Sequence, residues 1–247
     1  MIRFLLLQII AHTVTDFYLQ TDKSCADKEK KGFKSSKLYI HALITFAFSW
    51  FLSFSLDFWW LALIIAVSHL LVDAMKSYAS KCKYIFFIDQ LLHLIVIVAV
   101  CYLWNNLLNC NLPDCVSGVK EKHIALLLGS LICVKPSNII IKEIFKAANI
   151  KVSKGPSDAN NGEVSDEKKE GDLPNAGKLI GIVERLLSFV FVLLGQYEAV
   201  GFIMAAKSLL RFAEGDKAKS EYVLIGTLLS FSIAIFIGIA IKLYFGL

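Results

Sequence analysis

The chain has 247 residues, 56% of them hydrophobic and only 19% charged, with a formal net charge of +5 and a mean hydropathy of +0.61. A soluble domain is about 45–50% apolar and about 25% charged, and here the apolar excess falls in runs near the roughly 17–25 residues that cross a bilayer. This excludes a soluble enzyme, a disordered chain and a disulfide-knotted secreted domain. It also makes the positive charge an orienting device of a membrane protein rather than a footprint for nucleic acid.

The apolar runs predict an all-α, polytopic transmembrane bundle of about eight segments, with six as the lower bound. They lie at about 2–20, 38–56, 58–76, 84–104, 122–145, 178–195, 197–212 and 222–245. The first carries His12 and Asp16 inside its apolar run and lacks a small-residue cleavage site. It is expected to stay as a helix rather than be removed as a signal. The fifth turns polar at Lys135, Pro136, Lys142 and Lys146, which predicts a kink. The seventh is short for a hydrocarbon core of ~30 Å at ~1.5 Å per residue, and reads as a span or a re-entrant segment.

Basic residues alternate between loops. Lys23, Lys28, Lys30, Lys31, Lys34 and Lys37 follow segment one, Lys76, Lys81 and Lys83 follow segment three, and Lys146, Lys151, Lys154, Lys168 and Lys169 follow segment five. Lys207, Arg211, Lys217 and Lys219 surround the turn from seven to eight, whereas the loops after two and six hold no basic residue and the loop after four holds only Lys120 and Lys122. The positive-inside rule then puts the odd-to-even loops in the cytoplasm and both termini on the periplasmic side. Residues 149–176 are polar, mixed in charge and free of aromatics. They read as a disordered cytoplasmic linker between a front bundle, 1–148, and a rear bundle, 177–247.

Ionisable groups inside a bilayer are costly and usually face a bundle interior. Segment one holds His12 and Asp16, segment two His41, segment three His69 and Asp73, and segment four Asp89, Gln90 and His93. Three of the four helices thus carry a His/Asp pair at i, i+4, one turn apart on one face. Counted from their cytoplasmic ends, antiparallel helices bring these groups to one layer. Imidazole with carboxylate suits a divalent transition metal such as Zn, Mn or Fe. The expected ligands are His12, His41, His69, His93, Asp16, Asp73 and Asp89, enough for one or two ions. One of Asp16, Asp73 and Asp89 would serve as general base or bridging ligand in metal-assisted attack of water on an ester or phosphoester. The bland alternative is interhelical hydrogen bonding, with Asp73 paired to Lys76 and Asp16 at the headgroups beside Lys23. The similar stretches around His12/Asp16 and His69/Asp73 also admit a duplicated hairpin.

In the rear bundle Glu184, Arg185, Lys207 and Arg211 form either an anion site for a phosphate or lipid headgroup or an internal ion-pair network. Cys110 and Cys115, on the outer side, are a disulfide candidate. Trp50, Trp59, Trp60 and Trp104 lie near outer helix ends and read as interfacial anchors.

The motifs AHTVTDFYLQ, the lone His41, SHLLVDAMK and FFIDQLLH, together with rear motifs from KLIGIVERLLSFVF to EYVLIGTLLS, resemble a bacterial membrane family known as domain of unknown function 3307. The resemblance implies a multi-pass protein of the bacterial inner membrane and supplies no activity. The H-x-x-x-D arrangement is similar, more weakly, to predicted membrane-bound metal-dependent hydrolases, an analogy that covers only His12, Asp16, His69 and Asp73. The leading expectation is a metal-dependent hydrolase of a lipid or phosphoester, with membrane lipids as its surroundings and no nucleic-acid partner. The alternative is a transporter or sensor of divalent cations or protons.

Overall fold

A computed structural model describes residues 1–78, 82–107, 118–150, 176–211 and 217–246, and every element among them is helical. The expected linker and the Cys110/Cys115 pair lie outside these residues. The chain divides into two compact units, Met1–Ile132 and Cys133–Leu247.

In the front unit α1 (Ile2–Thr13) runs into a π-helical turn, Val14–Leu19. A short polar helix, α2 (Asp22–Lys31), is capped by Thr21, whose side chain accepts from the Ser24 amide. It ends at Gly32, whose φ of +51° suits glycine. Lys31 and Ser35 both bond Asp27, at 2.6 and 2.5 Å, and hold its carboxyl below the usual range. There follow α3 (Ser36–Ser53), α4 (Trp59–Tyr78), α5 (Ile85–Tyr102) and α6 (Glu121–Val134). Helix α3 packs on α1 and α4, and α5 packs on α1 and α4. The rear unit holds α7 (Pro136–Ala147), α8 (Ala176–Leu193), α9 (Tyr197–Arg211) and α10 (Lys217–Phe245).

Four stretches are long and apolar enough to cross a membrane: Ile2–Leu19, Leu56–Tyr78, Ile85–Asn106 and Glu221–Phe245. The bent pair α6–α7, at 47°, makes five if it is one span. The bend falls at Lys135, where Pro136 has no N–H to offer the preceding turn. The remaining helices fall short for identifiable reasons. Helix α3 turns His41, Thr45, Ser49 and Ser53 inward, which lowers its apolarity without exposing a polar face. Helix α8 carries Lys178, Glu184 and Arg185, and α9 has 15 residues.

The front unit is polar inside and apolar outside. Gln8, His12, Thr15, His41, Thr45 and Ser49 are buried, while Leu43, Phe51, Val67, Leu71, Leu91 and Ile95 are exposed. Such inversion costs too much in water and suits lipid, where inter-helix polar contacts replace the hydrophobic drive. Gln8 and Ser49 bond reciprocally: Gln8 Nε2 donates to the Ser49 carbonyl at 3.1 Å, and Ser49 Oγ donates to Gln8 Oε1 at 2.7 Å. Toward the start of α1 the interior becomes apolar, with Phe4, Phe58, Leu61, Ile97 and Trp104 in one cluster. Trp104 corrects the expectation of an interfacial anchor. It is 3% exposed, edge-on to Phe58 at 5.2 Å and stacked on Phe4 at 6.1 Å. The indole fills the bundle because a π turn, Leu103–Leu107, continues α5 and carries it. Trp50, Trp59 and Trp60 do stay exposed.

Candidate metal centre

Four helices deliver the site. Helix α1 and its π turn supply His12 and Asp16, α3 His41, α4 His69 and Asp73, and α5 Asp89, Gln90 and His93. The hydroxyls of Thr15 and Thr45 fold back onto the carbonyls of His12 and His41, each at 3.0 Å. All seven expected ligands lie in one connected, buried cluster.

The tightest group is Asp16, His41 and His69. His41 Nε2 and His69 Nε2 are 2.9 Å apart, and Asp16 Oδ1 lies 3.4 Å from the first and 3.2 Å from the second. Ligand atoms about 2.0–2.2 Å from one ion are separated by roughly 3.3–3.6 Å in a tetrahedron and about 2.8–3.1 Å along an octahedral edge. The observed separations, one of them a hydrogen bond between His41 and His69, span these two ranges. Asp73 Oδ2 approaches the same two nitrogens at 3.8 and 4.0 Å. On the other side His12 Nδ1 faces Asp16 Oδ1 at 3.6 Å and has no hydrogen-bond partner. The sets His12–Asp16–His69 and His41–His69–Asp73 each have the proximity that a metal ion requires.

The rings of His69 and His93 stack at 3.9 Å with 19° between their planes.

Each carboxylate has one oxygen taken by a donor and the other turned toward imidazole. Gln90 Nε2 donates to Asp16 Oδ2 at 3.3 Å, Lys76 Nζ donates to Asp89 Oδ2 at 2.8 Å, and Lys28 Nζ donates to Asp73 Oδ2. The other oxygens, Asp16 Oδ1, Asp73 Oδ1 and Asp89 Oδ1, face histidine nitrogens, and Asp16 Oδ1 also accepts from the Thr15 hydroxyl at 3.5 Å. Such outer partners fix ligand orientation in metal sites.

These donors were the part that sequence reasoning missed. Lys28 reads in sequence as one of six orienting charges, and it is instead buried on Asp73. Lys76 passes over Asp73 and binds Asp89, correcting the Asp73–Lys76 pairing expected from spacing along one helix. Asp16 sits under the imidazoles and not at the headgroups beside Lys23. The spacing of Lys28 carries no signal, because it reaches Asp73 only through the fold of α2 over α4. A cavity of about 40 Å³ opens between these elements, lined by Gln20, Cys25, Lys28, Asp73, Lys76 and Ser77 among others. Burial pushes the Cys25 thiol up, so it is a poor nucleophile there.

In the rear unit Glu184 pairs with Lys207. Arg185 is 2% exposed and, among the described residues, pairs with no carboxylate. Its Nε donates to the Cys133 carbonyl at 2.6 Å, and its terminal nitrogens donate to Asn138 Oδ1 at 2.7 Å, Ser230 Oγ at 3.0 Å and the Val134 carbonyl at 3.3 Å. It thus serves carbonyls left at the α6–α7 break. The Arg211 side chain lies outside the described residues.

Residues 4–116 match the family described as Protein of unknown function (DUF3307). The resemblance carried by the front motifs therefore holds for that stretch, and the rear motifs lie beyond it. No curated protein and no solved structure matches the chain.

Proposed function

We propose that the front unit is a divalent transition-metal centre of an integral membrane protein, used for metal-assisted hydrolysis of a lipid headgroup ester or phosphoester. One observation carries the metal: two imidazole nitrogens and a carboxylate oxygen from three different helices, within 2.9–3.4 Å of one another in a buried layer. Asp16, His41 and His69 would hold the ion, with Asp73 and His12 beside them. A bound divalent ion supplies Lewis acidity and a more acidic water. The chain itself orients the carboxylates through Gln90, Lys28 and Lys76.

The one-sided opening favours an enzyme over a transporter. A cavity of water size reaches Asp73 from the α2 side, whereas the opposite end of the bundle is filled by Phe4, Phe58, Leu61 and Trp104. A transporter needs a route past that plug. Our reading sets the open side in the cytoplasm, with eight crossings and both termini outward in the bacterial inner membrane; the lysines of α2 and the loop charges support it through the positive-inside rule. Helix α3 counts as a crossing because it packs along both α1 and α4, which are spans. Elemental analysis of detergent-purified protein tests the centre: one or more equivalents of Zn, Mn or Fe are expected, and their loss in His41→Ala and His69→Ala. Metal-free wild type refutes it. With metal bound, proteoliposomes of phosphatidylethanolamine and phosphatidylglycerol separate the two uses. Release of water-soluble phosphorus supports the hydrolase, and uptake of the ion without such release supports transport.

A further inference from the structure

The buried layer contains a second set of ligand atoms that meets the first at Asp73. His93 Nε2 lies 3.4 Å from Asp89 Oδ1 and 3.9 Å from Asp73 Oδ1. The three residues form a group of metal-binding proximity and all are buried. Among the described residues neither His93 Nε2 nor Asp89 Oδ1 has a hydrogen-bond partner other than each other, although both residues are buried. Lys76 and Lys28 hold the other oxygens of Asp89 and Asp73, so the oxygens turned to His93 are fixed in direction rather than loose.

We infer that the front unit binds two divalent ions, the second held by Asp73, Asp89 and His93. The inference rests on the metal centre proposed above. The stacked rings of His69 and His93 put the two sets side by side, and the Asp73 carboxylate lies between them. Its Oδ2 faces His41 and His69, and its Oδ1 faces His93. That is the disposition of a carboxylate linking paired ions, which in hydrolytic sites stand about 3.5–4 Å apart. A pair of divalent ions beside the Lys28 and Lys76 ammoniums suits an anionic phosphoester.

The test uses the full chain in detergent, stripped with chelator and titrated with Mn²⁺. Two ions per chain are expected, with the exchange-coupled electron paramagnetic resonance spectrum of neighbouring Mn²⁺ ions. His93→Ala and Asp89→Asn should each bind one ion and show the spectrum of isolated Mn²⁺, while eluting from size exclusion like the wild type. A single, uncoupled ion in the wild type overturns the second site and leaves the first standing. No bound Mn²⁺ at all overturns both. The wild-type spectrum decides the matter even where a variant fails to fold.

Discussion

The front and rear units both bury charged side chains among helices that face lipid, and they dispose of them in different ways. In the rear, Glu184 is matched by Lys207, and Arg185 makes four bonds to oxygens of Cys133, Val134, Asn138 and Ser230. Its charge is used up in mending a broken helix. In the front, donors fill an oxygen of each carboxylate, yet among the described residues His12 Nδ1, His93 Nε2 and Asp89 Oδ1 have no hydrogen-bond partner. A satisfied network rigidifies a fold, whereas a buried group left unsatisfied calls for an explanation. The rear unit thus spends its charge within the fold, and the proposed metal centre accounts for the charge left over in the front.

Substitutions should split along the same line. The largest effect is expected for His69→Ala, which faces both sets of ligands. It should lose most of the bound metal, with affinity lower by at least about 100-fold since even outer partners cost 10–100-fold. Equilibrium dialysis with Zn²⁺ reads this. Arg185→Met should show the converse: metal content of the folded protein unchanged, stability lower by roughly 2–4 kcal/mol because buried carbonyls lose their donor. Thermal unfolding in detergent measures it, and metal loss in this variant would erase the contrast. Gly238→Val belongs to the same arm. A Cβ there meets Val192 Cγ1 at 2.8 Å, and overpacking costs about 1–3 kcal/mol.

A smaller effect on the front arm should follow Gln90→Ala, which frees Asp16 Oδ2. A fall in metal affinity of about 10-fold is expected with little change in stability. The smallest concerns pH. Asp27 has its carboxyl held below the usual range by Lys31 and Ser35. Its stabilisation of the α2–α3 corner is present above the ordinary carboxylate pKa and lost as pH falls through the lowered value. Amide exchange of 22–35 should rise on acidification in the wild type, and the Asp27→Asn variant should lack that step.

Much of this was legible without coordinates. The i, i+4 spacings of His12/Asp16, His69/Asp73 and Asp89/His93 put acid and imidazole on single helix faces, and the depth of each in its run put them on one level. The kink at Pro136 followed from a missing N–H. Pairing across helices was not legible. Lys76 binds Asp89 and Lys28 binds Asp73 because of how α2 and α5 lie on α4. Trp104 looked interfacial by position in its run, and a π turn carries it into the bundle.

The sequence by itself determined that this is a helical membrane protein, which residue types its front helices carry and which helix face each occupies. Those properties are local, set by composition and by a repeat of 3.6 residues. Only the tertiary structure decided which oxygen of each carboxylate is spent and which is presented. It also decided that two distinct groups of ligand atoms form, and that Arg185 serves a helix break rather than an anion. These depend on ångström-scale approach between helices far apart in the chain, including a π turn at Asp16, and no spacing along one helix encodes them.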